Sequence, residues 1–233
     1  MPNGRLAALN SARLVPNGRN AIIRDALGIA IATGAYALSF GAISVTAGLS
    51  VLQTCALSLL MFTGASQFAF VGVIGAGGNA WAGTATAVLL GSRNALYGLR
   101  LASLLEVSGL RRFVASHFVI DESTAMAIAR DTKPEARLGF WSTGVAIFAL
   151  WNLGTLIGAL ATHALPDPRV LGFDAAPPAA FLALLAPRLR AREPLAIAFA
   201  AALVAIVLLP FVPQGVPLLI VAVLVVLYGI VRP

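Results

Sequence analysis

The sequence predicts an all-α integral membrane protein: a polytopic helical bundle of about six to seven hydrophobic segments. Two observations predict it. Of 233 residues, 59% are hydrophobic and 11% are charged, where a soluble domain carries about 25% charged. The mean hydropathy is +0.91. That leaves too little polar surface for a water-facing globule, and it excludes a disordered chain as well. The second observation is where the charges fall. Residues 1–25 hold five, residues 26–105 only Arg93 and Arg100, and residues 106–139 hold ten. Three more lie in 140–187, four in 188–193, and Arg232 alone follows. A charge in hydrocarbon costs several kcal/mol (about 3 or more) unless compensated. The sparse stretches are therefore read as membrane and the dense ones as water-facing.

Residues 1–25 read as a basic cytoplasmic tail ahead of one polytopic domain, 26–233. The tail lacks the apolar core and small-residue cleavage site of a signal peptide. The net charge of +7 sits beside apolar spans, which suits anionic lipid headgroups and not nucleic acid. The single cysteine, Cys55, sits in an apolar run and reads as a small buried hydrophobe.

The first span is Leu27 to Leu49, which is uncharged. A second apolar block runs from Val51 to Gly75, and a third from Ala80 to about Leu105. The fourth is Phe140 to Leu165. The fifth, Val170 to Pro187, is short and holds Asp174 and the Pro177-Pro178 pair. Leu195 to Leu209 and Val216 to Val231 complete the set. About 20 apolar residues cross a bilayer as helix, and shorter runs imply tilted or re-entrant segments.

Charge parity then raises a conflict. Lys and Arg mark the cytoplasmic side, and residues 1–25, 106–139 and 188–193 are all basic. Three full crossings between 26 and 105 would put 106–139 outside. Either one segment there does not cross, or part of 106–129 dips in as an extra segment. A broken or re-entrant element within 51–92 is the favoured resolution, because glycines at 64, 72, 75, 77, 78, 83 and 91 can unwind a helix. Sliding the chain by 113 residues suggests weak repeat halves, 27–105 and 140–209, around a charged linker, 106–139. Paired interrupted segments in two halves point to a transporter site.

Four constellations could carry chemistry. Gly64, Ser66, Gln67 and Phe68 combine close backbone approach with polar groups at membrane depth; helix packing would use the same residues. Arg93, Asn94 and Tyr97 form the second. Arg93 follows 67 uncharged residues and either pairs with a carboxylate or snorkels to the interface. The third is His117, Asp121 and Glu122. His117 and Asp121 are spaced to meet on one helix, and a carboxylate beside a cavity can carry a proton. A solvated loop with a capping Asp is the plainer alternative. The fourth is Asp174, which could cap a helix starting near Pro177 and present its N-terminus to an anion.

No phosphate-binding loop, paired-Cys spacing or HExxH motif is present. Neither an enzyme nor a metal or cofactor site is expected.

Three segments together resemble the AzlC family, the large subunit of branched-chain amino acid exporters. They are GASQF at 64–68, GSRNALYGL at 91–99 and HFVIDESTA at 117–125. The likeness extends over about residues 25 to 231. It departs at Ser92 and Asn94, where family members often have Ala and His, and at Arg100. The resemblance implies export of leucine, isoleucine, valine and methionine across a bacterial inner membrane. It also implies a small hydrophobic membrane subunit of the AzlD type. An apolar zwitterion needs an anion-binding group, a cation-binding group and an apolar slot.

Overall fold

Residues 16–164, 189, 191–212 and 216–231 are described by a computed structural model. Every element among them is helical. The fifth apolar segment, with Asp174 and Pro177, lies outside the described residues, so the second half of the proposed repeat does too in part.

Two helices of 31 residues each form the frame: α1, Pro16–Thr46, and α8, Lys133–His163. At 1.5 Å per residue each is about 46 Å long. Both are long and apolar enough to cross a bilayer. They run parallel. Gly18 lies near Glu135, Gly34 near Leu150 and Gly154, and Gly41 near Thr155 and Ala159. Small residues make the contact because helices in lipid gain stability from close packing and not from water exclusion. A Cβ on Gly158 would stand 2.1 Å from the Leu38 carbonyl oxygen, and one on Gly41 2.1 Å from that of Thr155. Only glycine lets the backbones approach so far. The helix α1 starts at Pro16, well before the apolar span, so residues 16–25 of the basic tail are already helical.

The second apolar block is two helices, not one. They are α2, Val51–Leu60, and α3, Ala65–Gly75. Ser50 opens α2 with a capping box: Ser50 N–H donates to Gln53 Oε1 at 2.8 Å, and Gln53 N–H to Ser50 Oγ at 3.2 Å. The chain then breaks at 61–64. Gly64 takes φ +60° there, a conformation that side chains other than glycine's resist. α2 descends along α8, with Ser58 Oγ donating to Thr155 Oγ1 and the Phe62 ring 5.1 Å from that of Phe148. α3 then returns, and Gly75 comes back beside Ala47 at the end of α1. The pair is a hairpin whose tip lies at mid-height of the frame.

The third apolar block is also broken. α4, Ala80–Gly91, packs antiparallel on α3, with Gly83 against Phe70 and Gly91 against Ser66. Ser92 Oγ donates to the Leu89 carbonyl at the junction. α5, Arg93–Leu105, then continues to the N-terminal end of α8. There Arg137 Nε donates to the Leu104 carbonyl, and Lys133 and Arg137 both bind the Glu106 carboxylate. The Lys133 ammonium, and after it Arg137, holds the Glu106 carboxyl below its usual range.

Residues 106–139 are mostly helical. They fold into a second hairpin, α6, Gly109–His117, and α7, Asp121–Ile128, before α8 begins. Phe118 sits against Gly144 at the tip, and Met126 against Gly139 on the way back. Arg130 then pairs with Asp25 of α1 at 3.4 Å. The charges cluster at 106–112 and 130–137, and between them only Asp121 and Glu122 interrupt a mostly apolar stretch. The two hairpins thus enter the frame from opposite ends.

α9, Arg192–Leu208, and α10, Val216–Val231, pack on each other, and Tyr228 Oη donates to Glu193. α10 also touches α4. α9 buries none of its residues, and its Phe199, Leu203 and Ile206 face outward, as lipid-facing residues do.

Candidate functional site

Three chain breaks meet at mid-height: 61–64, Ser92 and 118–120. Both hairpin tips are built by one device. At the first, Gly64 N–H donates to Gln67 Oε1 at 3.0 Å. At the second, Ile120 N–H donates to Ser123 Oγ at 3.2 Å. In each case the third residue of the new helix reaches back to the residue before it and satisfies an orphan donor. Gln67 also donates from Nε2 to the Leu57 carbonyl at 3.3 Å, tying α3 to α2. Ser123 donates to the Phe118 carbonyl at 2.6 Å, tying α7 to the end of α6.

A cavity of about 290 Å³ lies between the tips. Thr63, Gly64 and Ala65 form one wall, and Ile120, Asp121 and Glu122 the facing one. Thr33 and Tyr36 of α1 and Ile147 and Trp151 of α8 close the sides, with Phe62 beside them. The first-turn amides of α3 and α7 open at these walls, and each helix N-terminus carries about half a positive charge. That field explains why Asp121 and Glu122 sit where they do, in the first turn of α7.

Arg93 reaches the site through Asp121. Its Nη2 lies 2.8 Å from Asp121 Oδ2, with side chains 23% and 36% exposed. The Arg93 charge is therefore compensated by an ion pair, as the carboxylate-pairing reading expects. The other carboxylate oxygen, Asp121 Oδ1, is buried without a partner. So are Tyr36 Oη and Trp151 Nε1 on the neighbouring walls.

The candidates from sequence thus separate. Gly64, Asp121 and Glu122 line the cavity, and Arg93 backs it. Gln67 is fully buried and its amide is bonded to backbone on both sides. Ser66 and Phe68 lie behind the tip. Ser66 is buried against Gly91, and the Phe68 ring packs among Tyr36, Phe40 and Trp151, edge-to-face on the last two. Asn94 lines a separate groove of about 490 Å³ between α5 and α6, and Tyr97 packs on the core around Leu101 and Phe140. His117 does not share a helix with Asp121, because α6 ends at His117 and α7 begins at Asp121. Its ring sits 6.0 Å from Phe62 and 5.6 Å from Phe148. Asp121 and Glu122 stand in the first turn of α7 and not in a loop, and both line the cavity. Asp174 lies outside the described residues.

Sequence reasoning missed Tyr36 and Trp151. A signal existed: each is a polar-tipped aromatic in the middle of an otherwise apolar span. Among the described residues no cluster of His, Cys, Asp or Glu has the geometry of a metal site.

A family model described as AzlC protein matches residues 28–165, more than half the chain. The chain belongs to the AzlC family. The match spans α1 to α8 and includes every residue that lines the cavity. The chain is also similar to inner membrane protein YgaZ of Escherichia coli strain K12, at 29% identity over 141 residues. That alignment covers 58% of this chain and 58% of the relative, so the chain spans under two thirds of the relative's length. No solved structure matches. Membership and the helical frame make this a membrane protein of a transport-related family.

Proposed function

We propose that this chain is a secondary transporter that exports branched-chain amino acids from the bacterial cytoplasm across the inner membrane. The observation that carries the reading is the cavity between two hairpin tips, with aromatic and aliphatic walls and polar groups at both tips. A small apolar zwitterion fits such a site, which lies at the small end of ligand-cavity volumes, about 300 Å³. Broken helices that meet at mid-membrane are a recurrent way to bind a charged solute in lipid.

In this reading α1 and α8 each cross the bilayer once, and α4 with α5 cross once as a broken span. The α2–α3 hairpin is re-entrant from the outside and the α6–α7 hairpin from the cytoplasm. Only two crossings then separate 16–25 from 106–139, and both basic patches face the cytoplasm. That arrangement removes the parity conflict. Movement of either hairpin tip would open the cavity to its own side, which is the requirement for alternating access. The absence of a phosphate-binding loop from the sequence favours drive by a proton or by the membrane potential over ATP. The family also implies a small hydrophobic subunit as partner, and we include it in the proposal.

The test loads cells with a leucine-containing dipeptide and follows intracellular leucine. Cells with the gene and its partner should clear leucine faster than cells without. Equal retention in both strains overturns the export reading and leaves a non-transporting membrane scaffold.

A further inference from the structure

The helices α5, Arg93–Leu105, and α6, Gly109–His117, follow one another directly and yet stand apart. α5 packs on α4, α7 and α8, and α6 is not among its main packing partners. The space between the two is the groove of about 490 Å³. Its floor is buried and apolar, built from Leu101, Leu105, Ala115 and Val119. Its rim is open. Leu99 is 74% exposed, and a Cβ on Gly98 would meet nothing within 4 Å. In a bilayer such a gap is filled, because an apolar lining without neighbours forfeits its dispersion contacts.

Charge and length identify what fills it. Arg112, in the first turn of α6, lines the groove at the end closed by residues 106–108, and Arg111 stands beside it in the chain. Both are exposed, and neither has an ion-pair partner among the described residues. Glu106, the carboxylate at that end, is already bound by Lys133 and Arg137. The side chain of Ser108 does not cap α6, so the first amides of that helix add to the positive end. From Asn94 to Leu105 the groove follows α5 for about 16 Å. That is about half of a 30 Å hydrocarbon core. The groove thus runs the depth of one leaflet, with its cations at headgroup level and apolar walls below.

We propose that the groove binds one acidic phospholipid of the leaflet beside residues 106–112, the cytoplasmic leaflet in the arrangement given above. Its phosphate pairs with Arg112, with Arg111 and the opening amides of α6 close by. One acyl chain lies along Leu99, Ala102 and Val119 toward Asn94. A headgroup whose phosphate is balanced by its own ammonium gains less, so the site selects by net charge. The lipid wedges α6 against α5 and props the second hairpin, whose tip forms one wall of the central cavity. Lipid binding here is independent of the solute the protein carries, so it does not rest on the export reading.

The test titrates the purified full chain in detergent with phosphatidylglycerol and with phosphatidylcholine of the same acyl chains, and reads bound lipid by native mass spectrometry. The wild type should hold one phosphatidylglycerol about fivefold more tightly than phosphatidylcholine, or better. Arg112→Gln should weaken phosphatidylglycerol about fivefold and leave phosphatidylcholine unchanged. Gly98→Phe puts a ring into the open groove and should expel the tightly held lipid, with an unchanged melting temperature in lipid-free detergent. Arg19→Gln, at an exposed position of α1, should bind as the wild type does. Glycerol 3-phosphate, which has the anion and no chains, should not displace the lipid. Equal affinity for the two lipids in the wild type overturns the inference. So does a preference that survives both Arg112→Gln and Gly98→Phe, or displacement by glycerol 3-phosphate. A wild type that retains no lipid overturns it too and leaves the groove as a contact for a protein helix.

Discussion

Arg93 Nη2 lies 2.8 Å from Asp121 Oδ2 and joins the break in the α4–α5 span to the tip of the α6–α7 hairpin. One contact thus holds two of the three chain breaks in register around the cavity. Removing either partner leaves an uncompensated charge at depth. Both side chains are partly exposed, so the loss should be about 1–3 kcal/mol, below the range for fully buried pairs. Arg93→Ala should insert normally, melt at lower temperature and lose leucine export. The exchanged pair, Arg93→Asp with Asp121→Arg, should recover melting temperature and not export, because the cavity wall then carries a cation in place of the carboxylate. Export at the wild-type rate in Arg93→Ala would make the pair structural only.

Gln67 behaves differently. Its amide bonds to Gly64 N–H and to the Leu57 carbonyl, and the side chain is fully buried. Gln67→Leu keeps the volume and strips both bonds, which should cost about 2 kcal/mol. Leucine export per folded molecule should stay as in the wild type. A thermal melt and the dipeptide-loading export assay check the two halves of this statement separately.

Gly158 tests the frame. An added methyl there would stand 2.1 Å from the Leu38 carbonyl oxygen, so α1 and α8 must separate. Gly158→Ala should cost about 1–3 kcal/mol through overpacking and reduce the yield of folded protein. Gly28 lies on the same helix pair, with nothing within 4 Å of the place a methyl would take. Gly28→Ala should be neutral or stabilise by up to about 1 kcal/mol. Equal melting temperatures for the two variants would contradict the close approach.

The opposed hairpins predict a labelling pattern. In a Cys55→Ser background, single cysteines at Ser50 and Asn79 should react with a membrane-impermeant thiol reagent added outside. Cysteines at Arg111 and Asp131 should react only from the cytoplasmic side. All four positions are exposed. Reaction of the Ser50 and Arg111 variants from one side would rule out the two-crossing arrangement.

Much of this was legible in advance. Charge spacing located the apolar parts of the two frame helices, and glycine content marked 51–92 as interrupted. The three motifs at 64–68, 91–99 and 117–125 each hold one of the breaks that meet at the site. The second hairpin was harder to read. Asp121 and Glu122 within 106–139 look like two more loop charges, because a count cannot tell a carboxylate in water from one held by Arg93 and a helix N-terminus. His117 and Asp121 suggested a shared helix face, since spacing does not reveal the turn at 118–120.

By itself the sequence determined the solvent. So few charges, so placed, commit the chain to lipid, and lipid leaves its backbone little but helix. It also determined the close packing of α1 on α8, through glycines that no other residue could replace. Which polar groups face one another was decided only in three dimensions. Arg93 and Asp121 are far apart in the chain, and Tyr36 and Trp151 come from two different frame helices. Folding brings them together because each hairpin must turn back at mid-height, and a turn at that depth is stable only where other polar groups receive it.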